Sequence, residues 1–188
     1  MAVLKTPITA GDHLLGALDA PVVLVEYGDY ECPFCAAAQP IVKSLLQSFG
    51  GDLSLVFRHF PLTQAHPHAG IAAQAAEYAA DAGRFWEMHE ALFANQARLS
   101  LSVILALVEA LGLSGTGLQA ALESGRYAAK VRADFLSGAR SGVNGTPCFF
   151  VNGVRHDGSW SFDDLAAAIE AARRRPSGAQ PAAQDHHP

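Results

Sequence analysis

The run PVVLVEYGDY, Pro21 to Tyr30, passes with no intervening linker into ECPFC, Glu31 to Cys35, and from there into a helical pattern. The first part is rich in β-branched and aromatic residues and reads as a buried strand. The second opens a helix. Pro33 suits a first turn, where a missing N–H costs little. Ile41, Leu45, Leu46 and Phe49 recur at helical spacing, and Gly50 and Gly51 supply a stop. Pro40 lies inside this helix and is predicted to kink it. A strand that feeds a helix N-terminus to a sheet edge limits the chain to α/β architecture, and open α/β folds build their sites at such edges.

The rest of the chain obeys that constraint with one interruption. Leu53 to Leu62, LSLVFRHFPL, is a second strand. From His66 to about Leu136 the sequence is rich in Ala, Leu, Glu and Gln, with helical patterns over Pro67–Ala82, Arg84–Asn95 and Ser102–Leu111, and one or two more between Gly117 and Gly142. Strand character returns in TPCFFVNG, Thr146 to Gly153, where Asn152-Gly153 is a hairpin signal and VRHDGSW its predicted partner strand. A last helix runs over Ser161–Arg175, with Ser161 and Asp164 in capping-box spacing. The final residues, PSGAQPAAQDHHP, have no apolar pattern and read as a disordered tail in which His186 and His187 offer nonspecific metal ligands.

Composition narrows the function classes. A chain of 188 residues, half of them hydrophobic, builds a core without disulfide staples. Three cysteines do not make a secreted disulfide framework. The net charge of −5 and the lack of a basic cluster before ARRRP, Ala172 to Pro176, argue against nucleic acid as a partner. No window approaches the roughly 20 apolar residues of a membrane span. Thr6, Pro7, Thr9, Gly11, Asp12 and His13 interrupt any secretory h-region, so a cytoplasmic protein is expected, with an exported form as the alternative.

Cys32 and Cys35 sit where thiol chemistry is favoured. A helix N-terminus lowers a thiol's proton affinity through its unpaired N–H groups and dipole. A second cysteine one turn later is placed to resolve a mixed disulfide made by the first. A structural zinc site needs about four ligands, and only Cys148 and the nitrogens of His66 and His68 are left to supply them. Two inert core cysteines are the other reading. Glu26, six residues before Cys32 in an apolar strand, is either a strand end that reaches water or a proton acceptor for Cys35. Pro147 after Thr146 reads from sequence alone as a trans edge proline. Were it cis, backbone groups of Thr146 would be offered to an extended substrate. Phe85, Trp86, Leu92 and Phe93 read as core, His89 as a satisfied or exposed histidine, and nothing in the sequence places His59 at a site.

Taken together, DH…G…APVVLVEYGDYECPFC, FRHFPL…HPHAGIAAQAAEYA…GRFWEMHEALF and GVNGTPCFFVNG resemble the DsbA-like thiol–disulfide oxidoreductases of the thioredoxin superfamily, over about Ile8 to Arg173. The resemblance implies a thioredoxin-like fold with an inserted all-helical domain. Its divisions would be residues 1–62 and 140–175 for the two parts of the thioredoxin-like domain, 63–139 for the helical insertion and 176–188 for the tail. It makes Cys32 the exposed nucleophile, Cys35 the resolving thiol and Glu26 the buried acid. Pro33 and Phe34 would tune the pair, Pro147 would be the cis proline with Thr146 contacting substrate, and Pro40 would match a familiar kink. An exposed apolar groove near Phe34 and Pro147 would hold extended peptide.

The implied partners are proteins with cysteines or disulfides. Glutathione, the thioredoxin system or a membrane oxidase would recycle the pair, with no metal or organic cofactor. Two departures stand out. Members with a strongly oxidising couple carry C-P-H-C. Phe34 neither donates a hydrogen bond nor carries charge, so a higher Cys32 pKa and a less oxidising couple are expected. Cys148 follows the proline and is either a small buried strand residue or a third thiol able to exchange with Cys32. The rival function is a holdase or partner-binding module on the same fold. The related glutathione-transferase-like branch shares the inserted helices but normally lacks the cysteine pair.

Overall fold

The computed structural model describes residues 2–174. The expected tail, with His186 and His187, lies outside these residues. Five strands form one mixed sheet in the order β1-β3-β2-β4-β5: β1 His13–Leu15, β2 Val22–Gly28, β3 Leu53–His59, β4 Cys148–Val151 and β5 Val154–Arg155. Seven α-helices accompany them: α1 Pro33–Phe49, α2 Ala69–Ala80, α3 Phe85–Ala94, α4 Leu101–Ala110, α5 Gly115–Ser124, α6 Ala128–Arg140 and α7 Phe162–Arg173. This is the thioredoxin-like α/β fold, with α2 to α6 falling in sequence between β3 and β4.

β2 is the centre of the sheet, parallel to β3 and antiparallel to β4. Its alternation sorts the interior. Val22 and Leu24 face a core with Leu53, Leu55, Phe149, Val151, Val42 and Leu45, while Val25 and Tyr27 face Val56, Phe60, Cys148 and Phe150 on the other side. A third core, among them Met88, Leu92, Ile104, Val108 and Leu118, holds α2 to α5 together and takes in Phe57 of β3 and Tyr30. Gly138 brings α6 close to the sheet, since a Cβ there would meet the rings of Phe60 and Tyr27 at 2.8 and 2.9 Å.

The helical patterns expected between Pro67 and Gly142 form five helices: α2 and α3 are slightly shorter than expected, α4 is shifted one residue toward the N-terminus, and α5 begins two residues before Gly117. The stretch from Gly117 divides at Gly125, whose φ of 67° a glycine adopts without strain. The Asn152-Gly153 turn has positive φ at both residues, 46° and 77°, as a tight hairpin requires. Its second strand stops after Arg155 because His156 folds back to bond the Ser159 carbonyl oxygen at 2.8 Å. β1, only three residues long, carries no strand pattern in the sequence. The three residues pair antiparallel with β3, and near the chain start Val3 bridges Val154 at the opposite edge. Residues 2–15 therefore cross the sheet and occupy both of its outer edges, which blunts two open ladders. Arg58 anchors the crossing, donating to Asp12, Thr6 O and Pro7 O.

Candidate active site

The turn between β2 and α1 is built on Asp29. Its carbonyl accepts the Cys32 N–H at 3.1 Å, and its backbone N–H donates to Cys35 Sγ at 3.4 Å. Its carboxylate accepts the Glu31 N–H, the Leu62 N–H and His66 Nδ1–H, each at 2.8 Å. Gln96 closes the turn from the helical side, donating to the carbonyls of Tyr30 and Cys32 at 2.9 and 2.8 Å. Cys32 is thereby fixed as the N-cap of α1, with Pro33 in the first turn and no side chain competing for the free N–H groups.

The two sulfurs have opposite proton affinities. The Cys35 thiol hydrogen-bonds to the Cys32 sulfur, and this is the largest influence on it. Burial opposes, while contacts with Thr146 and the N–H groups of Cys35 and Phe34 reinforce, and the Cys32 pKa falls to about 5. Its Sγ lies 3.3 Å from the Thr146 carbonyl oxygen. Burial pushes Cys35 far above the ordinary thiol range, with the bond to Cys32 and the nearby Glu26 adding to it. Cys32 is thus acidic although the Phe34 side chain lends it neither charge nor a hydrogen bond. The Cys35 thiol and the backbone N–H groups of Cys35 and Phe34 hold the charge, and none of these needs a side chain at residue 34.

The nucleophile expected to be exposed is instead 3 % exposed, and Cys35 is fully buried. Pro33 and Phe34, the latter 62 % exposed, are the side chains that the motif presents to solvent. The Thr146-Pro147 peptide bond is cis, as the resemblance implied and against the reading from sequence alone. The groove beside it, about 310 Å³, is not purely apolar: Arg155, His156 and Asp157 line it together with Pro147 and Trp160. The Thr146 hydroxyl is buried there with no hydrogen-bond partner.

Glu26 does not reach water. Strand register sets it between Phe57 of β3 and Phe149 of β4. Burial raises its pKa to about 8, against a hydrogen bond from Gln39 and with the Cys32 charge adding to the rise. Gln39 Nε2–H donates to Glu26 Oε1 at 3.4 Å, and Glu26 Oε2 is buried without a partner. Cys148 is not brought to the pair. It stands beside Tyr27 in the register, packed into the core on the other face of the sheet, where burial raises its pKa.

Several neighbours carry no signal strong enough to be singled out from sequence. Gln39 and Gln96 look like ordinary helix-surface residues, and Asp29 like a turn former. His66 and His68, whose nitrogens could have served a zinc site, bond Asp29 and Glu31 and so pin the segment after β3 beside the motif. Among the described residues one group has metal-ligand character: the Nε2 atoms of His13 and His59 bond Glu77 Oε1 at 2.8 and 2.9 Å. The Lys130 ammonium lies 3.9 Å from the same oxygen. A cation there would compete with two N–H donors and an ammonium, so the group is an ion-pair cluster that ties β1, β3 and α2 together.

The family model described as Thioredoxin matches residues 9–171. Among solved structures, BdbD from Bacillus subtilis superimposes with a TM-score of 0.83 at 26 % identity, covering 93 % of this chain and 99 % of that one. A thioredoxin-like oxidoreductase from Silicibacter pomeroyi gives 0.77 at 27 % identity, covering 89 % and 95 %. Among curated proteins, a relative from Salinispora arenicola named Na(+)/H(+) antiporter NhaA 1 is 45 % identical over 161 residues, which is 86 % of this chain and 24 % of the relative. One from Herminiimonas arsenicoxydans named Na(+)/H(+) antiporter NhaA is 39 % identical over 173 residues, 92 % of this chain and 27 % of the relative. The chain spans about a quarter of the length of the curated relatives it matches.

Proposed function

The chain belongs to the thioredoxin family, in its DsbA-like branch, and on that premise we propose that it exchanges disulfides with cysteine-containing proteins through Cys32 and Cys35. The observation that carries this reading is the placement of Cys32 at the N-cap of α1 with the buried Cys35 thiol hydrogen-bonded to it from one turn inside, which brings Cys32 to near 5 and leaves Cys35 far above the usual range. At neutral pH Cys32 is a thiolate, the form that attacks and leaves in exchange. Cys35 stays protonated until a buried base takes its proton. Residues 1–62 and 140–175 are the parts of the exchange domain in this reading, and 63–139 the helical insertion.

The step balances without a cofactor. A substrate disulfide is attacked by the Cys32 thiolate, a Cys32–substrate bond forms, and one substrate thiolate leaves. Cys35 gives its proton to Glu26 and attacks Cys32 Sγ. The Cys32–Cys35 bond forms as the second substrate sulfur leaves, so the substrate gains two electrons and the pair loses them. Oxidation of a substrate dithiol is the reverse. Phe34 and Pro33 offer an apolar surface to the incoming chain, and Thr146 and Pro147 offer an extended backbone beside Cys32.

Direction follows from the thiolate. An acidic Cys32 stabilises the reduced pair, so its disulfide is the better oxidant, by on the order of tens of millivolts relative to an ordinary thiol pair. That favours oxidation of substrates in a disulfide-permissive compartment, with a membrane oxidase for recycling, over the cytoplasmic setting expected from the N-terminal residues. The curated relatives carry antiporter names, which favours a membrane setting for the module. No helix among the described residues is itself long and apolar enough to cross a membrane. Insulin reduction by wild type and Cys32→Ser separates exchange from a holdase: turnover is expected to vanish in the variant, and a holdase would keep suppressing aggregation with no turnover in either.

A further inference from the structure

We propose that His89 acts through Gln39 as a positioning residue for the buried carboxyl of Glu26, holding Oε1 with one N–H and leaving Oε2 to take the proton of Cys35. This rests on the exchange reading above and adds to it two residues on different helices. Tyr30 Oη lies 3.2 Å from His89 Nδ1, His89 Nε2 lies 3.0 Å from Gln39 Oε1, and Gln39 Nε2 lies 3.4 Å from Glu26 Oε1. The chain has one consistent direction. Burial, with His59 and His13 nearby, lowers the His89 pKa to about 3, so the ring is neutral and has one donor and one acceptor nitrogen. Burial likewise keeps the Tyr30 hydroxyl protonated. Tyr30 donates to Nδ1, Nε2–H donates to the Gln39 carbonyl, and the Gln39 amide is left to donate to Glu26.

The orientation of that amide decides what Glu26 meets. With its N–H toward Oε1, Gln39 favours the carboxylate. Turned over, it presents a carbonyl, which favours the protonated acid. Nothing else among the described side chains bonds Glu26, and Oε2 is the one oxygen of the carboxyl with no partner. The ionisable groups around this line are Cys32 and Cys35 beside Glu26, and His13, His59 and Tyr30 around His89. Glu77 and Asp134 act on Tyr30 from behind. Phe57 and Phe149 flank Glu26 and carry no charge.

The test reads the resolving step alone. The reduced protein is mixed with 5,5′-dithiobis(2-nitrobenzoate). Cys32 takes one thionitrobenzoate, and release of the second reports attack by Cys35. The release rate is followed between about pH 5 and pH 10. In wild type the rate rises with pH as Glu26 becomes a carboxylate. In His89→Ala and in Gln39→Leu the midpoint is expected to move up by about half a unit, making release about threefold slower at pH 7 and nearly unchanged at the alkaline plateau. In His89→Gln, which still donates to Gln39, the midpoint is expected to return toward wild type. Circular dichroism confirms folding of each variant, and the two substitutions on separate helices give independent readings. Variants that lower the plateau but keep the wild-type midpoint would overturn the assignment of His89 and Gln39 while leaving the exchange reading intact. A wild-type chain that never releases the second thionitrobenzoate would overturn the exchange reading, and this inference with it.

Discussion

At the scale of single residues, Glu26 shows how a functional group opposes stability. Its folded pKa of about 8 lies above the ordinary carboxyl value of about 4.5. Stability linked to this carboxyl is therefore fully present below about pH 4.5 and is lost as pH rises through about 8. Glu26→Gln is expected to stabilise the protein at pH 7 by about 2–3 kcal/mol and to leave it unchanged near pH 4, as read by urea denaturation at both values. A gain equal at the two pH values would refute the burial account. The same variant is expected to slow the resolving step. The cysteines and Glu26 could be read from the sequence because position beside a strand and a helix start suffices to mark them. Gln39 and His89 could not, since their meaning lies in a contact between α1 and α3, 50 residues apart. The acidity of Cys32 was legible only in part for a related reason: the second thiol and the backbone N–H groups that hold its charge meet it only once the turn has folded.

At the scale of elements, the turn from β2 into α1 depends on one carboxylate. Asp29→Ala would leave the N–H groups of Glu31 and Leu62 and the ring of His66 without their acceptor in a buried place. A loss of about 3 kcal/mol is expected, seen as a lowered urea midpoint with an unchanged slope. A loss within about 0.5 kcal/mol, typical of an exposed site, would show that the turn holds without it. Helices and the long strands were evident in the sequence because periodicity and punctuation agree there. β1 was not, because His13 to Leu15 is too short for a pattern and becomes a strand by finding the open edge of β3. The truncated β5 has the same lesson in reverse: VRHDGSW has strand composition, yet the bond between His156 and Ser159 turns it away.

At the scale of the whole molecule, the sheet and the helices between β3 and β4 meet at Phe57, Tyr30 and the Glu77 cluster. Burial would raise the Glu77 pKa, but hydrogen bonds from His13 and His59 hold it well below the carboxylate range. Its stabilisation is present above the unfolded value of about 4.5 and is lost as pH falls further. Glu77→Ala is expected to cost about 3 kcal/mol at pH 7, measured by urea denaturation. A neutral outcome would mean that the sheet and helices are joined by apolar contact alone. Sequence order disclosed the helical interruption of the α/β unit, but not these seams, which depend on residues brought together only by the fold. The central claim is that this scaffold makes one of three cysteines acidic and keeps the others protonated. Its most direct test is mass-spectrometric mapping of iodoacetamide alkylation in the reduced native protein across pH. The account predicts reaction at Cys32 with a midpoint near 5, and silence at Cys35 and Cys148. A Cys32 midpoint near the ordinary thiol value of about 8.5 would contradict it.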